Sequence, residues 1–104
     1  MNDEARVECR TPNAEGSTRI PAWKFEAVRT VLLRLVPEAP AAVPSAPLKS
    51  SVSDALREEL GADRLAELGS VGWHLTTVRL ELQVRGELVV VPGVTPQQVQ
   101  RPLA

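Results

Sequence analysis

At 104 residues the chain has room for one hydrophobic core, and a domain of this size buries roughly two thirds of the surface its unfolded chain would expose. Hydrophobic residues make up 43% and charged residues 24%, which is ordinary for a globular domain and excludes disordered, collagen-like and membrane compositions. Twelve basic against thirteen acidic residues leave a net charge of −1, so no bulk field draws the chain onto a polyanion and nucleic-acid affinity needs a local basic patch.

The chain is expected to be one domain over residues 1–104, with residues 1–20 as a polar N-terminal arm. This stretch carries turn signals at Pro12-Asn13 and Glu15-Gly16 and a brief alternation at Val7 and Cys9. It has no apolar run of the signal-peptide kind, and no stretch approaches the ~18 apolar residues of a membrane span. The single Cys9 has no internal disulfide partner, which fits a reducing compartment. A cytoplasmic location without a membrane partner is expected.

From Pro21 to Val36, Phe25, Val28, Leu32 and Leu35 recur at helical spacing with Val31 alongside, and Pro21 suits the entry to a helix that Pro37 stops. Residues 37–47 hold four prolines and four alanines, a composition that predicts an extended internal linker. A second helix is predicted from Ser51-Val52-Ser53-Asp54, with Val52, Ala55, Leu56 and Leu60 inward and Gly61 as its end. A further helical turn over residues 63–68 closes at Gly69, and Ser70 offers a new N-cap. The three aromatics, Trp23, Phe25 and Trp73, are expected as large core anchors.

Residues 72–85 satisfy two patterns. As a helix they place Val71, Leu75, Val78 and Leu82 on one stripe, with Gly86 as a left-handed stop. As a strand they alternate Val78, Leu80, Leu82 and Val84 with polar residues. A hairpin follows: Glu87 to Val91, a turn at Pro92-Gly93, and a short edge strand from Gln97 to Arg101 after Pro96.

Thr77 to Gly86, followed by Glu87-Leu88-Val89, resembles the third helix and first wing strand of winged-helix domains, with Leu82 at the core position four residues before the glycine. A wider pattern covers about three quarters of the chain: Pro12-Asn13, Thr18-Arg19-Ile20, Lys24-Phe25-Glu26-Ala27, Gly72-Trp73, Thr77-Val78, Leu80 and Leu82. In this it resembles a family of short bacterial proteins of unknown function. The chain departs from that pattern at Pro21, where the family has an acid, at His74, where it has an aromatic, and at Thr76, where it has a lysine. Its Pro-x-x-Trp is here Pro96-Gln97-Gln98-Val99. The resemblance implies a helix over 72–85 and hence an α+β, winged-helix-like fold of three main helices and a C-terminal β-hairpin. It brings no activity with it.

One histidine and one cysteine leave no pair of soft ligands at metal spacing, and no phosphate loop or nucleophile elbow is present. Neither a cofactor nor catalysis is expected. His74 with Glu67 or Glu81 is the one conceivable acid-base pair, and Cys9, without a neighbouring base, is expected to be inert. Two kinds of recognition remain. For DNA, a helix followed by a wing suits a major groove, and Arg79, Arg85 and Arg101 are the candidate nucleic-acid contacts, against Glu81 and Glu87 in the same segment. For a protein partner or a homodimer, Trp73, Leu80 and Val84 form a second apolar face of the third helix, opposite its core stripe.

Overall fold

The computed structural model describes residues 5–103. Around the Pro12-Asn13 turn the chain forms an antiparallel hairpin of β1 (Arg6–Thr11) and β2 (Ala14–Pro21). Val7 faces Ile20 and Cys9 faces Thr18, and the register slips by a bulge between Arg10 and Thr11. Strand alternation leaves one side of the hairpin wet and turns Cys9 and Ile20 into the core. From Arg6 on, the expected arm is thus a folded layer of the domain, because an antiparallel ribbon needs only one apolar side. Residues 1–4 of that arm, and Ala104, lie outside the described residues.

Helix α1 (Ala22–Leu35) starts directly after Pro21 and buries Phe25, Val28, Val31 and Leu32. It closes with the Val36 N–H donating to the Leu32 carbonyl at 2.9 Å, and Pro37 cannot extend it. The proline-rich stretch beyond differs from the linker expected there. Strand β3 (Val43–Pro44) pairs with the chain's last strand, the Ala39 N–H donates to the Arg101 carbonyl at 2.8 Å, and the Ser45 N–H donates to the Gln97 carbonyl at 3.0 Å. Pro44, which has no N–H to give, sits on an edge strand where none is needed.

Helix α2 (Leu48–Leu68) begins three residues ahead of the expected serine cap, behind Pro47 and with no side-chain cap. Gly61 interrupts it where the end of the second helix was expected. Its φ of 77° and ψ of 171° break the helix into two segments, a conformation open essentially to glycine alone. The second segment takes the place of the predicted extra turn and buries Leu68.

Helix α3 (Val71–Arg85) resolves the ambiguity of residues 72–85 in favour of the helix. Ser70 Oγ accepts the Trp73 N–H at 3.1 Å, and Gly86, in the left-handed region at φ 79°, caps the other end. Its inward arc holds His74, Leu75, Val78, Glu81 and Leu82. Strands β4 (Val89–Val90) and β5 (Gln98–Gln100) then form the expected C-terminal hairpin. The sheet order is β3-β5-β4, so β5, expected at an edge, is central, with the buried Val99 facing Val43 on one side and Val90 on the other.

The domain is α+β, with three helices and two small antiparallel sheets. Of the expected aromatic anchors only Phe25 is fully buried. Trp23 lies at the margin of the core with the Arg64 guanidinium 3.9 Å over its ring, and Trp73 is 47% exposed, because its place on α3 faces away from the inward arc.

Candidate functional site

Helix α3 is the element on which the others converge: β1 covers one flank, while α1 and α2 pack against its inward arc. The flank under β1 is held by a charge. The Glu81 carboxylate is fully buried and accepts the Arg10 backbone N–H at 2.8 Å, Arg10 Nε at 3.1 Å, Arg10 Nη2 at 2.7 Å and Arg85 Nε at 2.8 Å. Burial alone would push its pKa up, but the hydrogen bonds from Arg10 and Arg85 outweigh it and hold the carboxyl down at about 2. The same burial pushes the Cys9 thiol up, with the Glu81 charge adding to it, so Cys9 is a poor nucleophile.

Partners within the fold decide what two of the three candidate nucleic-acid contacts do. Arg85 bridges to Glu81, with its guanidinium carbon 4.7 Å above the Phe25 ring. Arg101 donates from Nε to the Val36 carbonyl at 2.8 Å, and its backbone N–H donates to the Pro37 carbonyl at 2.7 Å, tying the C-terminal strand to the end of α1. Both cations are employed in holding the fold. Arg79 is not. It is half-buried and, among the described residues, its side chain has no hydrogen bond or ion pair. Desolvation pushes its pKa down. Arg79 lines a cleft of about 500 Å³ between α3, the start of α2 and the β4–β5 loop, together with Ser45, Lys49, Gly72, Thr76 and Gln97.

Residues 6–99 match the model of a family of unknown function, DUF6958. The chain belongs to this family. No curated protein and no solved structure matches it. The DUF6958 match runs from the first residue of β1 to Val99 in β5, so it takes in the Arg10–Glu81–Arg85 clamp and the cleft, and it ends before Arg101.

The candidate contact face of this DUF6958 domain is divided. Trp73 stands out from the first turn of α3 with its ring edge-on to His74, centroids 4.8 Å apart, whereas Leu80 and Val84 are half-buried. His74 makes no pair with an acid. Its Nδ1 lies 2.7 Å from the Ser70 carbonyl, which can only accept, so the proton sits on that nitrogen. Glu67 pairs with Arg64 at 3.7 Å, and Glu81 is taken up by the two arginines. Sequence reasoning missed Lys49, because α2 was expected to begin only at Ser51. It also missed the buried place of Glu81, which it weighed only as a partner for His74 and as a charge set against the arginines. The available signal was its place on the helical arc between Val78 and Leu82, with Arg85 one turn on.

Proposed function

We propose that this domain is a winged-helix-like recognition module that binds a macromolecule without catalysing a reaction, and that its preferred partner is duplex nucleic acid. The observation that carries the reading is the order of the elements. β3 lies between α1 and α2, β4 and β5 follow α3, and the sheet is ordered β3-β5-β4. A helix followed at once by a hairpin can enter a major groove while the hairpin meets the backbone. The outward side of α3 carries Gly72, Thr76 and Arg79, and Lys49 of α2 lies against its first turn. Phosphate contacts dominate such binding, and they weaken steeply with salt. Fluorescence anisotropy of a labelled duplex at two salt concentrations tests it: binding lost at the higher salt and reduced by Arg79→Ala supports the reading, and no binding at low salt ends it.

A second reading, contact with a protein or a second copy of the chain, is favoured by one observation, the 47% exposure of Trp73. Tryptophan is among the residue types most enriched at interface hot spots. Light scattering across concentration tests it, with Trp73→Ala and Leu80→Lys as variants. Leu80 does not pack against the core, so the lysine can lift its amine into water and the chain stays folded. A wild type that remains monomeric at high concentration removes self-association.

A further inference from the structure

We propose that the cleft between Lys49 and Arg79 is an oxyanion site that seats a phosphate group. The inference deepens the reading of α3 as the recognition helix, but its evidence is the cleft itself.

Of the residues that line the cleft, two are cations and none is an acid. Six of the other arginines are ion-paired: Arg29 with Glu26 and Glu87, Arg34 with Glu59, Arg57 with Asp54, Arg64 with Glu67, and Arg10 and Arg85 with Glu81. Arg101 is taken up by the Val36 carbonyl, and Arg6 and Arg19 stand exposed on the hairpin. In a chain of net charge −1, two uncompensated cations brought to one concavity are an electrostatic cost that an anion would offset. Arg79 bears more of that cost, being half-buried with no partner among the described residues.

The geometry brings the two charges towards each other. Side chains on a helix lean towards its N-terminus, so Arg79 reaches back over the turn of Thr76 and Gly72. Lys49 approaches the same turn from α2: a Cβ built on Gly72 would stand 3.3 Å from Lys49 Cε and 3.4 Å from its Nζ. The absent side chain at Gly72 gives the lysine's end room close to the helix. Around the cations are further donors, the hydroxyls of Ser45 and Thr76 and the carboxamide of Gln97. The Ser45 hydroxyl oxygen is buried with no hydrogen-bond partner among the described residues. Two cations with several neutral donors suit the tetrahedral oxygens of a phosphate, two free in a diester and three in a monoester, better than the flat pair of a carboxylate. A cleft of about 500 Å³ also has room for the group to which the phosphate is esterified, since ligand pockets run roughly 300–1,000 Å³.

Two sources carry this chemistry, the backbone of a nucleic acid and a free phosphate ester. The test is a thermal melt of the full chain with 10 mM inorganic phosphate against chloride at matched ionic strength, on wild type, Lys49→Gln, Arg79→Gln and the exposed hairpin control Arg19→Gln. Phosphate is expected to raise the wild-type and Arg19→Gln midpoints by a few degrees and to leave Lys49→Gln and Arg79→Gln unmoved. Without phosphate, the last two should melt no lower than wild type, because among the described residues neither side chain makes a hydrogen bond or an ion pair that the substitution would break. No phosphate effect on wild type, or the same rise in all four proteins, overturns the site. A labelled duplex and a nucleoside monophosphate then separate the sources. A duplex displaced by phosphate and weakened at least tenfold by Lys49→Gln assigns the seat to the nucleic-acid backbone. Binding of the monophosphate alone keeps the site, assigns it to a free ester and ends the duplex reading. A duplex that binds equally to wild type and Lys49→Gln, with no phosphate shift, keeps the duplex reading and overturns the site.

Discussion

Replacing Glu81 by glutamine is the sharpest perturbation of the fold, because it keeps the side chain's shape and removes only the charge. The carboxyl stands at about 2 in the folded protein against an ordinary value of 4.5. At about 1.4 kcal/mol per pKa unit this difference corresponds to roughly 3 kcal/mol of stability at neutral pH. The Arg10 side chain is half in water, so solvent screens part of the attraction and about 2 kcal/mol is the expected loss. For a domain of this size that lowers the melting midpoint by roughly 8–16 °C. The carboxamide also turns an N–H group towards arginine donors, so it cannot reproduce the pairing.

The pH dependence gives the reasoning its second exposure. A carboxyl with a lowered folded pKa contributes fully above its unfolded value and loses that contribution as pH falls from about 4.5 towards 2. The gap between wild type and Glu81→Gln should therefore be wide at pH 7 and nearly closed at pH 2. Melting followed by tryptophan fluorescence measures both. A variant within 2 °C of wild type at pH 7, or a gap of the same size at both pH values, would refute the account of the clamp.

Arg85→Ala should lower the melting midpoint, since it strips Glu81 of one partner and uncovers Phe25, while Arg79→Ala should leave it unchanged; equal effects in differential scanning fluorimetry would contradict the division drawn between the two arginines. Cys9 should resist a maleimide in the folded protein and react fully in urea, and fast native labelling would show that the hairpin does not stay docked. Ser70→Ala should cost about 1 kcal/mol through the lost cap on α3, read from urea denaturation, and an unchanged midpoint would refute it. Gly61→Ala should cost about 1–3 kcal/mol in the same assay, because alanine is strained at φ 77°; a stabilised variant would mean that α2 straightens without penalty.

What the sequence determined by itself was local. The apolar spacing from Phe25 to Leu35, the proline at each end of α1, the serine before α3, the glycine after it and the Pro92-Gly93 turn all act over a few residues, through backbone geometry and hydrogen bonds that any context would leave in place. Those signals were enough for the first two helices and a terminal hairpin, while the third helix, and with it the α+β fold, was implied only by the family resemblance. The tertiary structure decided wherever partners lie far apart in the chain. The pattern of residues 72–85 fitted helix and strand alike, and a helix whose outer face is covered in part by β1 can carry apolar residues all round. The hairpin looked like an arm because its largest anchor, the grip of Arg10 on Glu81, spans 71 residues. Residues 37–47 looked like a linker because their hydrogen-bond partners, Gln97 to Arg101, lie at the other end of the chain. The roles of the cations were hidden for the same reason: Arg79, Arg85 and Arg101 are alike in sequence, and only the placement of Glu81 and of the Val36 carbonyl leaves Arg79, beside Lys49, with its charge unspent.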